Sequence, residues 1–304
     1  MAFEKRQAAI IGGGVMGADI AVAFVSGGWS VHIVEPLETT RKALPARVES
    51  GLGKLKTNGE GSFRIAPKME DIPWADIEIA VEAVPEKLPI KREVFAKMET
   101  LSRPGVPLTS NSSGFPISEI GKNLETRNRM LGLHFFMPAH LAPLVEVVCS
   151  EAADPRIAED VCALMKKIGK KPVLVKKDIP GFLANRIQHA LMREALSLVE
   201  KGIAAPEDVD DAVRYGFGFR YIAAGPLRQK DLTGVDTQYA AAVTIYPDLC
   251  NDTSPSPYIT EKVAAGHLGI KSRKGFYDWT GEEIGRFKEN YEKALLKALE
   301  IMRE

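Results

Sequence analysis

The residues best able to do chemistry in this chain sit at the ends of, or inside, short apolar runs. His134 follows Leu131-Gly132-Leu133 and precedes Phe135-Phe136-Met137-Pro138. Glu146 lies within Pro143-Leu144-Val145-Glu146-Val147, and Ser113 belongs to Ser110-Asn111-Ser112-Ser113-Gly114, which follows another apolar run. A histidine paired with a carboxylate is what oxidation of an alcohol requires. The imidazole takes the hydroxyl proton as hydride leaves carbon, while the carboxylate fixes the tautomer and stabilises the imidazolium. The same histidine could also be a hydrogen-bonded core residue on an apolar strand.

A second constellation opens the chain. Gly12-Gly13-Gly14-Val15-Met16-Gly17 fits GxGxxG with its glycines at 12, 14 and 17. In such a turn Gly12 makes the tight bend, Gly14 lets the backbone approach a pyrophosphate, and Gly17 permits close helix packing. Val15 and Met16 begin the helix whose free N–H groups face the phosphates. Glu35 follows 18 residues after Gly17, where an acid accepts hydrogen bonds from ribose hydroxyls and repels a 2′-phosphate. NAD is therefore expected over NADP, with Arg41 near enough in sequence to leave NADP open.

These residues need strands and helices to hold them. Ala8 to Ile11 reads as a strand, 15–26 as a helix, and Ser30 to Glu35 as a second strand. Further apolar runs at 77–81, 106–109, 130–135, 144–148 and 173–175 are mostly separated by helix-length segments. The alternation predicts a mostly parallel, doubly wound α/β sheet with helices on both faces, in which strand ends on one edge form a ligand crevice. After Asp178-Ile179-Pro180-Gly181 the period becomes helical through Phe182, Ile187, Leu191, Ala195, Leu198 and Val199. Pro206-Glu207-Asp208 opens another helix, and others are expected over 227–245, 257–265 and from 282 onward. This divides the chain into an α/β cofactor domain over 1–180 and an all-helical domain over 181–304, the latter suited to homodimer formation through its apolar faces.

Composition narrows the function class. The 304 residues are 45% apolar and 26% charged, with 40 Lys+Arg against 40 Asp+Glu. That is the profile of an ordinary globular protein with room for two domains. A balanced charge argues against a nucleic-acid partner. Cys149, Cys162 and Cys250 are far apart and form no CxxC pair, the apolar run before Gly12 is short for a signal-peptide core, and no window reaches a membrane span. A soluble cytoplasmic protein without a membrane partner is expected. His32, His140, His189 and His267 have no partners at metal-ligand spacing, so no metal is expected, although His140 could line the pocket.

Taken together the motifs resemble the 3-hydroxyacyl-CoA dehydrogenases over nearly the whole chain. The likeness rests on GxGxxG, Val81-Glu82-Ala83-Val84-Pro85-Glu86, the SNSSG run, Gly132-Leu133-His134-Phe135-Phe136, PLVEV, the DIPGFLANR segment 178–186 and Gly275-Phe276-Tyr277. It implies a Rossmann-type domain followed by a helical dimerisation domain, a place in fatty acid metabolism, and hydride transfer between NAD and a 3-hydroxyacyl substrate. By likeness the catalytic pair is His134 and Glu146, Ser113 and Asn185 bind the substrate oxygen, and Glu86, Lys91, Ser113 and Lys271 contact the nicotinamide half of NAD.

Three departures bear on the substrate. Met137 stands where the family usually has Asn. The positions from which a Ser and a Lys reach CoA in the family fall at Gly51 and Asn58, and Pro45 is expected to interrupt the helix there, although Arg41, Lys42, Arg47, Lys54, Lys56 and Arg64 keep the segment basic. Finally, Arg220 occupies a loop where the thioester enzymes usually have apolar residues. Its guanidinium could grip a substrate carboxylate bidentately or pair with Asp211. The substrate is thus a small hydroxy acid or an acyl-CoA. The readings held open are a β-hydroxyacyl dehydrogenase, a dehydrogenase of a free carboxylate such as gulonate, carnitine or a vitamin B6-derived pyridine alcohol, and a non-catalytic NAD-binding protein like certain lens crystallins.

Overall fold

The structure, a computed structural model, describes residues 3–55 and 61–302. Lys56 and Asn58 lie outside the described residues. The chain divides into two compact units, residues 1–186 and 187–304.

The first unit is built on an eight-stranded sheet in the order β3-β2-β1-β4-β5-β6-β7-β8. Its strands are β1 (Gln7–Ile11), β2 (Ser30–Val34), β3 (Ser62–Ala66), β4 (Ile79–Glu82), β5 (Leu108–Ser110), β6 (Met130–Phe135), β7 (Leu144–Cys149) and β8 (Lys171–Val175). β1 is buried on both faces, and its alternation divides two cores. Ala8 and Ile10 pack with Phe24, Ile33 and Leu133 on one side; Ala9 and Ile11 pack with Phe95, Met98 and Trp74 on the other. Residues of period two thus serve two helix layers at once, which is why the run is uniformly apolar. The helices are α1 (Val15–Ser26), α2 (Glu38–Leu55), α3 (Leu88–Leu101), the short α4 (Ile117–Ile120) and α5 (Pro155–Lys167). α6 (Ala184–Glu200) begins at the end of this unit.

The sheet is parallel except at the junction of β6 and β7, where pairing is antiparallel and His134 stands directly opposite Glu146. β1 is hydrogen-bonded to both β2 and β4. The chain order reverses there, making this the switch point at which open α/β sheets bind ligands.

Three details correct the sequence reading. β3 was not anticipated: its Ser-Phe-Arg-Ile-Ala pattern is that of an edge strand with one face half exposed. Pro45 does not interrupt α2, which runs on through it. Leu44, Val48 and Gly51 are buried on one face, and α2 packs along α1 with the position of Gly51 facing the Val22 side chain. That packing holds the helix where local propensity would break it. The helix expected over 227–245 is two helices, because Gly234 takes φ +98° between them.

The second unit is helical: the rest of α6, then α7 (Pro206–Asp211), α8 (Pro226–Thr233), α9 (Val235–Ile245), α10 (Pro257–Ala264) and α11 (Gly281–Ile301). α11 starts with a reciprocal capping box between Thr280 and Glu283. Among the described residues of this unit only Ser197 is buried. No helix among the described residues is long and apolar enough to cross a membrane.

Pro45→Ala would restore the backbone N–H that residue 45 lacks for the Arg41 carbonyl. It is expected to raise the unfolding free energy by about 1–3 kcal/mol, read as a higher urea midpoint at unchanged slope; a lower midpoint would count against packing as the restraint on α2.

Candidate active site

The polar residues converge because successive strands end in register. Ile11 of β1 is level with Glu82 of β4, Glu82 with Ser110 of β5, and Ser110 with Gly132 of β6. The loops that follow these ends carry the chemistry. Gly12 adopts φ +110°, and a Cβ there would lie 2.6 Å from the Ala83 carbonyl oxygen; one at Gly17 would lie 1.8 Å from the Gly12 oxygen. Gly14, by contrast, faces open space at the N-terminus of α1, where no side chain caps the helix. Val15 and Met16 form the first helical positions, so free N–H groups and a clear approach coincide at Gly14, as a pyrophosphate requires. Glu35, just past β2, accepts hydrogen bonds from Gly13 N (2.8 Å) and Leu37 N (2.9 Å). Arg41 donates to the carbonyls of Glu35 and Pro36, so its guanidinium is engaged in shaping this loop. These features fit a dinucleotide with an unphosphorylated ribose.

At the centre of the site, His134 Nδ1 lies 2.8 Å from Glu146 Oε2 and Nε2 lies 3.0 Å from Ser113 Oγ. The other oxygen of Glu146 accepts from the backbone N–H groups of Leu183 (3.0 Å) and Ala184 (2.7 Å) at the start of α6. Burial raises the Glu146 carboxyl, but the hydrogen bonds from His134 and from these two amides outweigh it and hold it below the usual carboxylate range. An ionised Glu146 fixes the proton on Nδ1 and leaves the Nε2 lone pair toward Ser113. Phe136 and Phe182 flank the imidazole, with ring centroids at 4.5 and 5.6 Å. Asn185 Nδ2 donates to the Ser113 carbonyl at 3.3 Å. Ser113, His134, Glu146 and Asn185 are therefore brought together.

Lys91 and Glu86 lie in an adjoining network. Lys91 is 1% exposed and pairs with Glu82 at 2.9 Å and with Glu86 at 3.0 Å. Burial pushes Glu82 up, opposed by Lys91 and by the Ser110 hydroxyl. Burial also raises Glu86, but the Ser112 hydroxyl and the Lys91 ammonium hold it below its ordinary value. Glu86 is the half-exposed member, and its oxygen also accepts from Gly114 N. It positions the loop that carries Ser113.

The remaining two expected site residues lie in the second unit. Arg220 sits in the 3₁₀ turn Gly218–Ile222, and Lys271 is exposed in the turn between Gly269 and Lys274. Among the described residues Arg220 forms no ion pair, with Asp211 or otherwise. Met137 is 68% exposed, and Gly51 is buried against Val22 and offers no hydroxyl. His140 is partly buried, with Nδ1 3.4 Å from Asp19 Oδ2. Several contributors escaped the sequence reading: Asn111, whose Oδ1 accepts from Phe135 N; Ser112; and the amides of Leu183 and Ala184. Backbone amides carry no residue signature. The only available hint was the Pro180-Gly181 punctuation before α6.

A nucleotide-binding α/β unit that ends in a Ser–His–Glu relay has the layout of an NAD-dependent dehydrogenase for hydroxyl substrates. The family "3-hydroxyacyl-CoA dehydrogenase, NAD binding domain" matches residues 7–179, and "3-hydroxyacyl-CoA dehydrogenase, C-terminal domain" matches 181–279; the chain belongs to the 3-hydroxyacyl-CoA dehydrogenase family. It is 35% identical over 286 residues to the 5-formyl-3-hydroxy-2-methylpyridine 4-carboxylate 5-dehydrogenase of Mesorhizobium japonicum, covering 91% of this chain and 92% of that one. A crystal structure of a 5-formyl-3-hydroxy-2-methylpyridine 4-carboxylic acid 5-dehydrogenase, an NAD+-dependent dismutase, superposes with a TM-score of 0.94 at 30% identity over 98% of both chains. The (S)-3-hydroxybutyryl-CoA dehydrogenase from Ralstonia eutropha gives 0.72 at 28% identity, covering 90% of this chain and 99% of that one.

Glu146→Gln should lower kcat by roughly 10²–10⁴-fold, with NAD affinity retained, in steady-state assays. Because the native carboxyl is held low, its contribution to stability is present above the unfolded-state pKa and is lost as pH falls through the lowered value. The variant's unfolding midpoint should accordingly depend less on pH across that acid range than the parent's.

Proposed function

We propose that this protein is an NAD-dependent dehydrogenase whose substrate is a free carboxylate bearing the reacting hydroxyl or carbonyl carbon, a pyridine or other cyclic acid being the best fit. The observation that carries the choice is the likeness over 98% of both chains to a pyridine-carboxylate enzyme, set against the weaker match to a CoA-thioester enzyme at similar identity. Gly51 turned into α1, Lys42 paired with Glu38 at 2.6 Å and Arg41 held on backbone carbonyls leave α2 poorly equipped for a CoA phosphate.

NAD, when bound through Gly12 to Gly17 and Glu35, supplies the hydride acceptor. His134 Nε2 takes the hydroxyl proton during oxidation and returns it during reduction. Glu146 keeps the proton on Nδ1 and stabilises the imidazolium that forms. Ser113 Oγ, 3.0 Å from Nε2, and the Asn185 amide donate to the substrate oxygen as it gains charge, an electrostatic contribution to the transition state. Glu86, held by Lys91, sets the loop that carries Ser113, and Glu86, Lys91 and Lys271 are the residues that would contact the nicotinamide half of NAD. Arg220 holds the substrate carboxylate. The reacting CH–OH carbon loses a hydride and its oxygen a proton, so a carbonyl, NADH and a proton result.

The working form in this reading is a homodimer in the cytoplasm, joined through the helical unit. With one buried residue among those described there, and with Leu227, Leu232 and Tyr239 exposed by 84%, 85% and 72%, this unit lacks the core that stability demands until a second copy covers it.

The deciding experiment follows NADH across aromatic hydroxymethyl and formyl carboxylates, free 3-hydroxy acids and acetoacetyl-CoA. Turnover of a free acid is expected, with Arg220→Ala raising its KM about 10–100-fold and His134→Ala removing turnover. Saturation by micromolar acetoacetyl-CoA, or an unchanged KM in Arg220→Ala for every acid, would overturn the reading. Sedimentation should report twice the mass of one chain.

A further inference from the structure

The first unit holds a polar cavity that the dehydrogenase chemistry does not use. It lies at the opposite end of the sheet from the glycine loop: Gln7, Ser30 and Ser62 begin β1, β2 and β3, whereas Gly12 and Glu35 follow the other ends of β1 and β2. The cavity measures about 300 Å³. That is room for roughly ten waters at ~30 Å³ each, or for one small metabolite.

Its lining is unusual for a sheet face. Gln7, Ser30 and Ser62 form one cross-strand row, and His32 and Arg64 stand side by side in the next. One step further along the same face Ile11, Val34 and Ala66 belong to the core. The Ser30 and Ser62 hydroxyls are 3.1 Å apart, and His32 Nε2 is 3.1 Å from Gln7 Oε1. His32 is 7% exposed, and its ring is fixed by Gln7 rather than by a charge. Arg64 makes no hydrogen bond or ion pair among the described residues. Asp76, the acid on the rim, is already paired with Lys5 and held low by it, with Arg103 adding to the effect. Lys5 and Arg103 thus act on the one carboxylate among the described lining residues, while the Arg64 guanidinium stands beside a buried imidazole.

We propose that this cavity is a second ligand site that takes a small oxyanion, its charged group on Arg64 and its remaining oxygens on the Ser30 and Ser62 hydroxyls and the His32 ring. A guanidinium with neighbouring hydroxyl donors is the chemistry that binds phosphate or carboxylate. Burial and then Arg64 lower the pKa of His32, with Asp76 opposing. A bound anion offsets the arginine's field and favours the imidazolium, so occupancy and His32 protonation are linked.

The test uses the full chain saturated with NAD, so that the glycine loop is filled. Calorimetric titrations with inorganic phosphate and with malonate, at fixed ionic strength in chloride, should give one site per chain for at least one of them, and which of the two binds identifies the anionic group. Arg64→Ala should weaken that binding about tenfold or more, Arg64→Lys should weaken it less, and both variants should keep NADH turnover and the unfolding midpoint of the parent. In parallel, the imidazole C2–H resonance that disappears in His32→Gln should titrate at higher pH when the binding anion is present, and Arg64→Ala should abolish this shift. Absence of binding by both anions, equal binding in Arg64→Ala, or a His32 titration that ignores a bound anion would each overturn the proposal.

Discussion

The arrangement of the site depends on one cross-strand pair. β6 and β7 are the only neighbours in the sheet that run antiparallel, and their register sets His134 opposite Glu146. A slip of one residue would turn one of these side chains to the other face. The register is held by apolar residues on the same two strands: Leu131, Leu133 and Phe135 pack with Val145 and Val147 in one core. The relay is therefore a by-product of core packing. Its rigidity comes from buried core residues.

Around this pair the polar groups are satisfied by backbone more than by side chains. Glu146 shares its oxygens between an imidazole and two amides at the start of α6. Lys170, in the strand-leading turn before β8, donates to the carbonyls of Ala139, His140 and Ala142. It thereby ties down the segment that follows His134 and Phe136. Burial pulls this lysine down to about 8, against the pull of Asp19. Glu82 and Lys91 do the same work beneath the Ser113 loop. In each place a buried charge is kept because an opposite charge or several fixed dipoles face it, the condition under which such groups are tolerated.

The two halves of the chain differ in how they reach stability. The first closes two cores around a sheet. The second leaves Leu227, Leu232, Val235, Tyr239 and Tyr246 open to solvent within one chain, so these apolar side chains close no core of their own. Local devices such as the Thr280–Glu283 box, the edge-on contact of Trp279 with Phe287 and the stacking of Phe287 on Tyr291 define the start of α11 without giving this unit a core.

Much of this was legible in the linear order of residues. Strand β1, helix α1 and strand β6 announce themselves by apolar runs and by the glycines between them; Ser113, His134 and Glu146 stand out by type at the ends of such runs, and Asn185 is implied by the family resemblance alone. These signals are local: a period, a turn residue, a short string of types. What only the tertiary structure decided is non-local. Pro45 stays helical because α1 supports α2, and β3 exists because β2 offers it an edge. Lys91, which reads as a cofactor contact, is enclosed between Glu82 and Glu86. The amides of residues 183 and 184 become ligands of Glu146 because the chain returns after nearly forty residues to meet it. Residue types fix which groups can exchange a proton, whereas the distances at which they do so come from packing, which sums over contacts that no window of sequence contains.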